Sequence, residues 1–397
     1  MKSRPYALTL LLLWLIGVAM RLTILAVPPV IPALRSEFNL SGTDIGILTG
    51  LPVILFAAAA LAGSRLVSRV GAVSAAVIGL ILTAFGSALR AVSPDVLTLL
   101  AATIVTGGGV AIMQPAAPAL VGRWLPNKIG LGTGVYTNGL IVGEILPVAL
   151  FPLLFPLLGE SWRATFVWWA IPIAVIAIFL VVAAPREEGR KVFVEQRWWP
   201  AVPLRDVLRW GFTFASASAL YYATNAFLPG HLAEVGRSDL ITPALTALNF
   251  GQLPASLILI AFSRFLERRA WPFVLSGLIS LGCLALIVAT NDTLPVIGGT
   301  GVLGFAIGAA FALCLTLPPL LSPPQEVARV AAAMFTITYA GTMLISVLSG
   351  IVWDFVGVER FAFIPIALSA LPLLLLAPTI RFDRAPRPPL EQPKASA

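Results

Sequence analysis

The sequence predicts an all-α membrane protein with twelve transmembrane helices, arranged as two pseudo-symmetric six-helix bundles. Three observations carry this prediction. The chain of 397 residues is 58% hydrophobic and only 11% charged, whereas soluble domains carry about 25% charged residues. Apolar runs long enough to cross a bilayer, which takes about 20 residues, recur along the whole chain. One long polar stretch divides these runs into two sets of six.

The apolar runs are bounded by charged residues, proline or glycine. The first six cover residues 7–31, 44–63, 72–91, 96–121, 130–156 and 163–184. The second six cover residues 207–229, 242–263, 270–290, 294–318, 327–351 and 360–380. We therefore predict an N-terminal bundle over 1–184, a cytoplasmic linker over 185–206, a C-terminal bundle over 207–380 and a cytoplasmic tail over 381–397. The tail is rich in proline and charge, which predicts disorder.

The distribution of basic residues predicts how the chain is oriented. If the N-terminus is inside, the cytoplasmic segments hold about 20 of the 26 lysines and arginines, in agreement with the enrichment of basic residues in cytoplasmic loops. The outer loops then hold the remaining basic residues except Arg21, namely Arg35, Arg90, Arg163, Arg237 and Arg360. We therefore expect a multi-pass protein of the cytoplasmic (inner) membrane with both termini in the cytoplasm.

The composition disfavours several other classes of protein. The sequence pI is about 10.1, but the basic residues are not gathered into a stripe with aromatic residues, so no nucleic-acid partner is expected. Cys283 and Cys314 both lie inside apolar runs and His231 is the single histidine, so we expect neither a metal site nor a disulfide framework. Because no set of nucleophile and base lies at mid-depth, an enzyme is disfavoured and no cofactor is expected.

Two opposite charges lie near the middle of apolar runs, Arg21 in the first and Glu144 in the fifth. Each lies about 14 residues into a helix that runs outward, or about 21 Å at 1.5 Å per residue, so the two could meet. An ionised side chain at mid-bilayer is costly unless it faces a partner or a cavity, so both are candidates for a functional site. One interpretation is a structural ion pair. The other is that Arg21 binds a substrate anion, while Glu144 orients it or exchanges a proton.

Neutral polar residues recur at helical spacing in other runs. They are candidate solute ligands, although such side chains also bond helices to one another in membranes. The complete candidate set for solute binding is Arg21, Glu144, Gln114, Tyr221, Tyr222, Asn225, Asn249, Gln252 and Tyr339.

The two sets of runs resemble internal repeats. Residues 64–69 (SRLVSR) follow the second run of the first half, and residues 263–268 (SRFLER) follow the second run of the second half. Pro52 and Pro254 interrupt the same two runs. Two six-helix halves with internal repeats are typical of secondary transporters, whose site lies at the interface of the repeats near mid-membrane.

Three stretches also carry a family resemblance: residues 34–52, from Leu34-Arg35-Ser36-Glu37 to Gly50-Leu51-Pro52; residues 118–144, which end at Gly143-Glu144; and residues 333–354, which end at Trp353-Asp354. They resemble the major facilitator superfamily, and within it the branch of cyanate and 2-nitroimidazole transporters. The resemblance implies two rocking bundles around a cavity lined by the first, fourth, seventh and tenth helices. It therefore favours Tyr221 or Tyr222 with Asn225 as lining residues.

One segment departs from the family pattern. The superfamily's loop between the second and third helices reads Gly-x-x-x-Asp-Arg-x-Gly. Arg69 and Gly71 match it, but Ser68 replaces the acid and Ser64 replaces the first glycine. The cytoplasmic charge latch that this loop usually provides is therefore expected to be weak.

The function predicted from the sequence is a monomeric secondary transporter, surrounded by membrane lipid, for a small anionic or planar polar solute. Alternating access would move the solute, and Glu144 is the candidate for proton coupling. A drug efflux transporter and a membrane solute sensor are the alternatives. Arg21 favours a selective, anion-compatible site over a broad apolar pocket.

Overall fold

A computed structural model of the chain describes residues 6–125, 129–184, 200–266, 268–323 and 326–382. These residues form α-helices and short 3-10 helices, and no strand occurs within the described ranges. Each of the twelve apolar runs corresponds to a helix or to a group of consecutive short helices. The predicted all-α membrane fold is thus confirmed.

Among the described residues, the first half of the chain contains eight α-helices. They are α1 (Tyr6–Leu25), α2 (Ile31–Phe38), α3 (Gly42–Val70), α4 (Ala72–Ala91), α5 (Val96–Trp124), α6 (Ile129–Ala149), α7 (Phe151–Leu157) and α8 (Trp162–Ala183). The second half contains seven. They are α9 (Leu204–Glu234), α10 (Ile241–Leu266), α11 (Trp271–Ala289), α12 (Thr293–Leu321), α13 (Val327–Val356), α14 (Phe363–Leu368) and α15 (Leu371–Leu375). Short 3-10 helices cover Pro28–Val30, Ser238–Leu240, Glu359–Ala362 and Ala377–Thr379.

The division into two bundles, a linker and a tail stays a prediction. Of the predicted linker, 185–199 lies outside the described residues, and α9 already begins at Leu204. Of the predicted tail, 383–397 also lies outside them.

Eight segments of the described chain are long and apolar enough to cross a membrane, and the bent pair α6 and α7 would provide a ninth. Helices α3, α9 and α10 complete the twelve positions. Helix α9 is less apolar than these segments because it contains buried polar side chains, among them Ser218, Thr224 and Asn225. The protein is therefore a multi-pass membrane protein, and the arrangement is consistent with twelve crossings.

Local sequence explains where several helices begin or bend. Ser41 caps α3 reciprocally with Asp44, and Asp95 caps α5 in the same way with Thr98. In each case two backbone N–H groups that lack helical partners are satisfied. Helices α6 and α7 meet at a 51° bend. Pro152 lies in the first turn of α7, and its ring nitrogen cannot donate the hydrogen bond that would continue α6.

The two halves meet mainly along two pairs of helices, α3 with α13 and α6 with α10. Helix α3 begins and α13 ends at the same end of the bundle, which also holds the connections α2–α3, α4–α5 and α11–α12. We call it the outer end, following the predicted orientation. At this end the backbones of α3 and α13 are in contact, since a Cβ atom at Gly46 would overlap the Ser346 carbonyl oxygen.

Three side chains close the outer end, and we call them the outer latch: Arg35, Asp354 and Glu359. Asp354 on α13 accepts hydrogen bonds from the Gly42 N–H at 2.6 Å and the Thr43 N–H at 2.8 Å. Because a helix N-terminus attracts negative charge, this contact also favours the closed end electrostatically.

Arg35 completes the latch. It forms an ion pair with Glu359, and its guanidinium carbon lies 4.2 Å from the centre of the Trp353 ring. Both contacts join the first half of the chain to the second. The structure is therefore closed at the outer end.

Candidate functional site

Arg21 lies in the last two turns of α1 and is almost fully buried, with 5% of its surface exposed. Its Nη1 donates a hydrogen bond to the Tyr222 hydroxyl of α9 at 2.7 Å. Its Nε lies 3.2 Å from the Glu144 Oε1 of α6. The guanidinium carbon also lies 5.7 Å from the centre of the Phe56 ring on α3. One cation therefore joins three helices of the first half to the second half.

The contact between Arg21 and Glu144 is an ion pair of incomplete geometry. Although the two atoms are 3.2 Å apart, the Nε–H is not aimed at the carboxylate and has no hydrogen-bond partner among the described residues. A buried ion pair offsets its desolvation only where the geometry is good and further hydrogen bonds are made. This pair therefore lacks the two parallel hydrogen bonds of a strong arginine–carboxylate pair.

A close approach of two helices places Glu144 beside Arg21. Gly143 precedes Glu144 on α6, and a Cβ atom at this glycine would overlap the Val18 carbonyl oxygen of α1. Only glycine fits this contact, because any other residue would force the two backbones apart. The two charges predicted at matching depth are therefore brought together by backbone packing.

The second half contributes a chain of neutral polar groups to the same place. Gln252 of α10 donates through Nε2 to the Glu144 Oε2 at 3.3 Å. The Tyr221 hydroxyl donates to the Asn249 Oδ1 at 2.5 Å, and it also lies within hydrogen-bonding reach of Glu144. Asn249 in turn donates to the Asn225 Oδ1 at 3.3 Å. Since these residues lie on α9 and α10, any change in the angle between the halves would alter the contacts of Glu144.

Aromatic rings border the charged pair. Tyr339 of α13 packs edge-to-face on Phe56, with ring centres 5.2 Å apart. Its hydroxyl interacts with both Arg21 and Gln114 of α5. Tyr221 and Tyr222 pack edge-to-face on each other, 5.1 Å apart. Tyrosine rings and hydroxyls therefore surround the guanidinium of Arg21 on the side of the second half.

All nine residues predicted from the sequence therefore lie in one connected network at the interface of the halves. The first half supplies Arg21, Glu144 and Gln114, and the second half supplies the other six. Their part in solute binding stays a prediction, because hydrogen bonds between helices would produce the same contacts.

One expectation from the sequence was wrong. Arg90 was placed in an outer loop, but it lies in the last turn of α4 and is fully buried. Its face of α4 is turned toward α1, α5 and α8, so its side chain enters the helix bundle. The sequence offers no signal for this, because an arginine at the end of an apolar run is usual at a membrane surface.

An apolar cavity lies away from this network. It measures about 610 Å³ between α1, α7 and α8, and its lining is almost entirely apolar. Trp14, Leu150 and Phe179 are among the lining residues. A site for a polar solute needs a few placed polar groups that fix its orientation. We therefore place the candidate site at Arg21 and not in this cavity.

Comparison with known proteins identifies the family of the chain. The family model of the Major Facilitator Superfamily matches residues 13–343. The chain is 32% identical over 314 residues to the Cyanate transport protein CynX of Escherichia coli (strain K12), covering 78% of this chain and 80% of that protein. It is 25% identical over 316 residues to the 2-nitroimidazole transporter of the same strain, covering 76% and 77%. The predicted resemblance to this branch is thus confirmed.

A solved structure gives independent support for the fold. The crystal structure of a bacterial homologue of the human lysosomal transporter Spinster, in its inward-facing and unoccupied conformation, superimposes with a TM-score of 0.73. The superposition covers 96% of this chain and 97% of that one, at 17% sequence identity. At this identity the likeness shows the fold alone. The match of the family model over residues 13–343 and the 32% identity to the cyanate transport protein establish that the chain belongs to the major facilitator superfamily.

Proposed function

We propose that the protein is a monomeric secondary transporter of the cytoplasmic membrane that moves a small anion of the chemical class of cyanate, with Arg21 as the anion ligand. The observation that carries this proposal is the position of the Arg21 guanidinium. It is buried where both halves meet, and its contact with Glu144 lacks a directed hydrogen bond from Nε. The planar guanidinium presents paired donors to a carboxylate-like group and stays charged.

The relatives agree with a small solute of this kind. One relative is named a cyanate transport protein and another a 2-nitroimidazole transporter. Cyanate is a linear monovalent anion, and nitroimidazole is a flat ring with an anion-like nitro group. The site offers groups that complement these solutes. The Arg21 guanidinium donates hydrogen bonds to negatively charged oxygen atoms, and the tyrosine rings around it present flat surfaces.

The proposed mechanism is alternating access. With both termini in the cytoplasm, the outer latch closes the site toward the outside. Opening of the outer end would separate α3 from α13, and Tyr222 would then move relative to Arg21. A solute held by Arg21 in the first half would lose or gain contacts with residues of the second half during this movement.

Transport of cyanate by purified protein in proteoliposomes is the direct test. We expect saturable counterflow of labelled cyanate and thermal stabilisation of the detergent-solubilised protein by cyanate. Stabilisation by apolar drugs but not by cyanate or 2-nitroimidazole would replace the proposal by drug efflux. Stabilisation by cyanate without counterflow would replace it by a solute sensor.

A second hypothesis within the proposal is proton coupling through Glu144. When an anion occupies Arg21, the Glu144 carboxylate loses its cation in a buried site, where an unpaired charge is costly. Uptake of a proton would remove that cost. We therefore predict that wild-type protein accumulates cyanate in response to an imposed pH gradient, whereas Glu144→Gln performs counterflow but no longer responds to the gradient.

Glu326→Gln is the matched control for this prediction. Glu326 is also buried, but it lies far along the chain from the site, where it accepts a hydrogen bond from the Ala201 N–H at 2.9 Å. It should keep the gradient response. If wild-type accumulation is indifferent to the gradient, Glu144 does not carry protons and only orients Arg21.

A further inference from the structure

Arg90 is a second buried cation in the first half, and the transport site does not include it. It is fully buried at the end of α4, and none of the salt bridges between described residues includes it. Its Nη2 has no hydrogen-bond partner among those residues. Because a buried charge without a counter-ion destabilises the fold, its presence calls for a role beyond packing.

The contacts of Arg90 point to the end of α1. In a regular helix the Val27 N–H would donate to the Thr23 carbonyl oxygen. Here the Val27 N–H donates to Ile24 instead, at 3.3 Å, because the helix breaks before Pro28. The Arg90 Nη1 donates to the released Thr23 oxygen at 2.9 Å. Arg90 thus caps the C-terminus of α1, where a cation also interacts favourably with the helix dipole.

The capped carbonyl lies only two residues beyond Arg21. Two residues correspond to about 3 Å along the helix axis. The last turn of α1 therefore carries both the anion ligand and the group that Arg90 holds. Movement of Thr23 would be transmitted to Arg21 through the same turn.

Arg90 is itself fixed by two other helices. Its Nε donates to the Thr103 Oγ1 of α5 at 3.0 Å, and Thr103 donates in turn to the Leu99 carbonyl oxygen at 2.8 Å. Its guanidinium carbon lies 5.4 Å from the centre of the Phe166 ring on α8. The end of α1 is therefore tied through Arg90 to helices α5 and α8.

We infer that Arg90 is a positioning residue. By holding the Thr23 carbonyl against α5 and α8, it fixes the last turn of α1 so that the Arg21 guanidinium faces Tyr222 and the solute. That the solute is an anion rests on the proposed function. The orientation of Arg21 by Arg90 does not depend on it.

Four variants separate positioning from a general effect of charge. Arg90→Met removes the donor and the charge, and Arg90→Lys keeps the charge and one donor for Thr23. Thr103→Val keeps the Arg90 charge but removes the acceptor that orients it. Thr106→Val is the matched control, because Thr106 is also buried on α5 and donates to a carbonyl of its own helix.

Cyanate counterflow in proteoliposomes gives KM and the maximal rate for each variant. We expect KM to rise roughly tenfold for Arg90→Met, as for the loss of one charge-assisted hydrogen bond. Thr103→Val should also raise KM. The KM of Arg90→Lys should lie close to the wild-type value, and the KM of Thr106→Val should equal it. A merely structural role would lower thermal stability without raising KM. If folded Thr103→Val has the wild-type KM, positioning by Arg90 is overturned, even if Arg90→Met fails to fold.

A second readout needs no solute and is independent of the proposed function. In an experimental structure of Thr103→Val or Arg90→Met, we expect the hydrogen bond between Arg21 and Tyr222 to be lost or lengthened. An unchanged bond in both variants would overturn the inference. Absence of cyanate counterflow in the wild type would refute the proposed solute and leave this structural test in place.

Discussion

Replacement of Arg21 by lysine is expected to weaken binding of the anion while the protein remains folded. The substitution keeps a positive charge near Glu144, so the buried carboxylate is not left without a counter-ion. It removes the planar fork, however, and a single ammonium cannot reproduce the parallel donors that a guanidinium offers to an anion. Loss of a hydrogen bond to a charged group costs about 1.5–3 kcal/mol, so affinity should fall roughly 10- to 100-fold.

The measurement is the binding of cyanate to purified Arg21→Lys, by thermal shift and by counterflow. Arg209→Lys is the matched control, since Arg209 lies near the start of α9 and its ion pair with Asp206 is long, at 3.8 Å. The control should bind as the wild type does. If folded Arg21→Lys also binds normally, Arg21 and Glu144 form a structural ion pair and the proposed site is wrong.

Most of the helical architecture could be predicted from the sequence, because a helix that crosses the hydrocarbon of a bilayer needs about 20 mostly apolar residues. The run 72–91 has the same bounds as α4, and the capping residues Ser41 and Asp95 lie just before α3 and α5. The last run, 360–380, was less predictable. It is divided into short helical pieces, two of which have proline in their first turn at Pro372 and Pro378. Proline there removes the hydrogen bonds that would join them into one helix.

The charged pair could be found from the sequence for a physical reason. Arg21 and Glu144 are costly at mid-depth, so their presence in apolar runs marks them. Their partners could not be found in this way. Tyr222 is 201 residues from Arg21 along the chain, and which of two adjacent tyrosines meets Arg21 depends on the rotation of α9. Composition contains no information about that rotation.

One charged residue was misinterpreted because it lies near the end of a run. Arg90 has the sequence pattern of a residue in contact with water. In the structure Arg90 caps α1, and Asp354 lies within α13 and caps the N-terminus of α3. Both satisfy backbone groups at helix ends on other segments. Such contacts depend on tertiary packing, so a single sequence does not reveal them.

The second large effect is expected from Gly46→Ala, which should disfavour closure of the outer end. A Cβ atom at this position would overlap the Ser346 carbonyl oxygen of α13. Because the overlap is with backbone, no side-chain rotation relieves it, and α3 must move away from α13. Overpacking of this kind costs about 1–3 kcal/mol. That is enough to shift an equilibrium between two conformations by a factor of roughly 5 to 150 toward the outward-open one.

Gly108→Ala is the control for this prediction. Gly108 also lies inside a long helix, α5, but a Cβ atom there would have no neighbour within 4 Å. Both substitutions gain the same helix propensity, so a difference between them reports the contact of the halves. Anion binding should survive in both variants, because neither adds atoms to the network around Arg21. Counterflow should be slowed only in Gly46→Ala.

The conformational change itself can be measured by distances between spin labels at the outer end. Cysteines introduced at Leu97 on α5 and Leu294 on α12 would place one label on each half, since both side chains are exposed, at 77% and 82%. The native Cys283 and Cys314 are buried and would be replaced. We expect the distance distribution of Gly46→Ala to move to longer values than those of wild type and Gly108→Ala. If all three distributions coincide, the close contact at Gly46 does not control closure, and the outer latch of Arg35, Asp354 and Glu359 must hold the closed state without it.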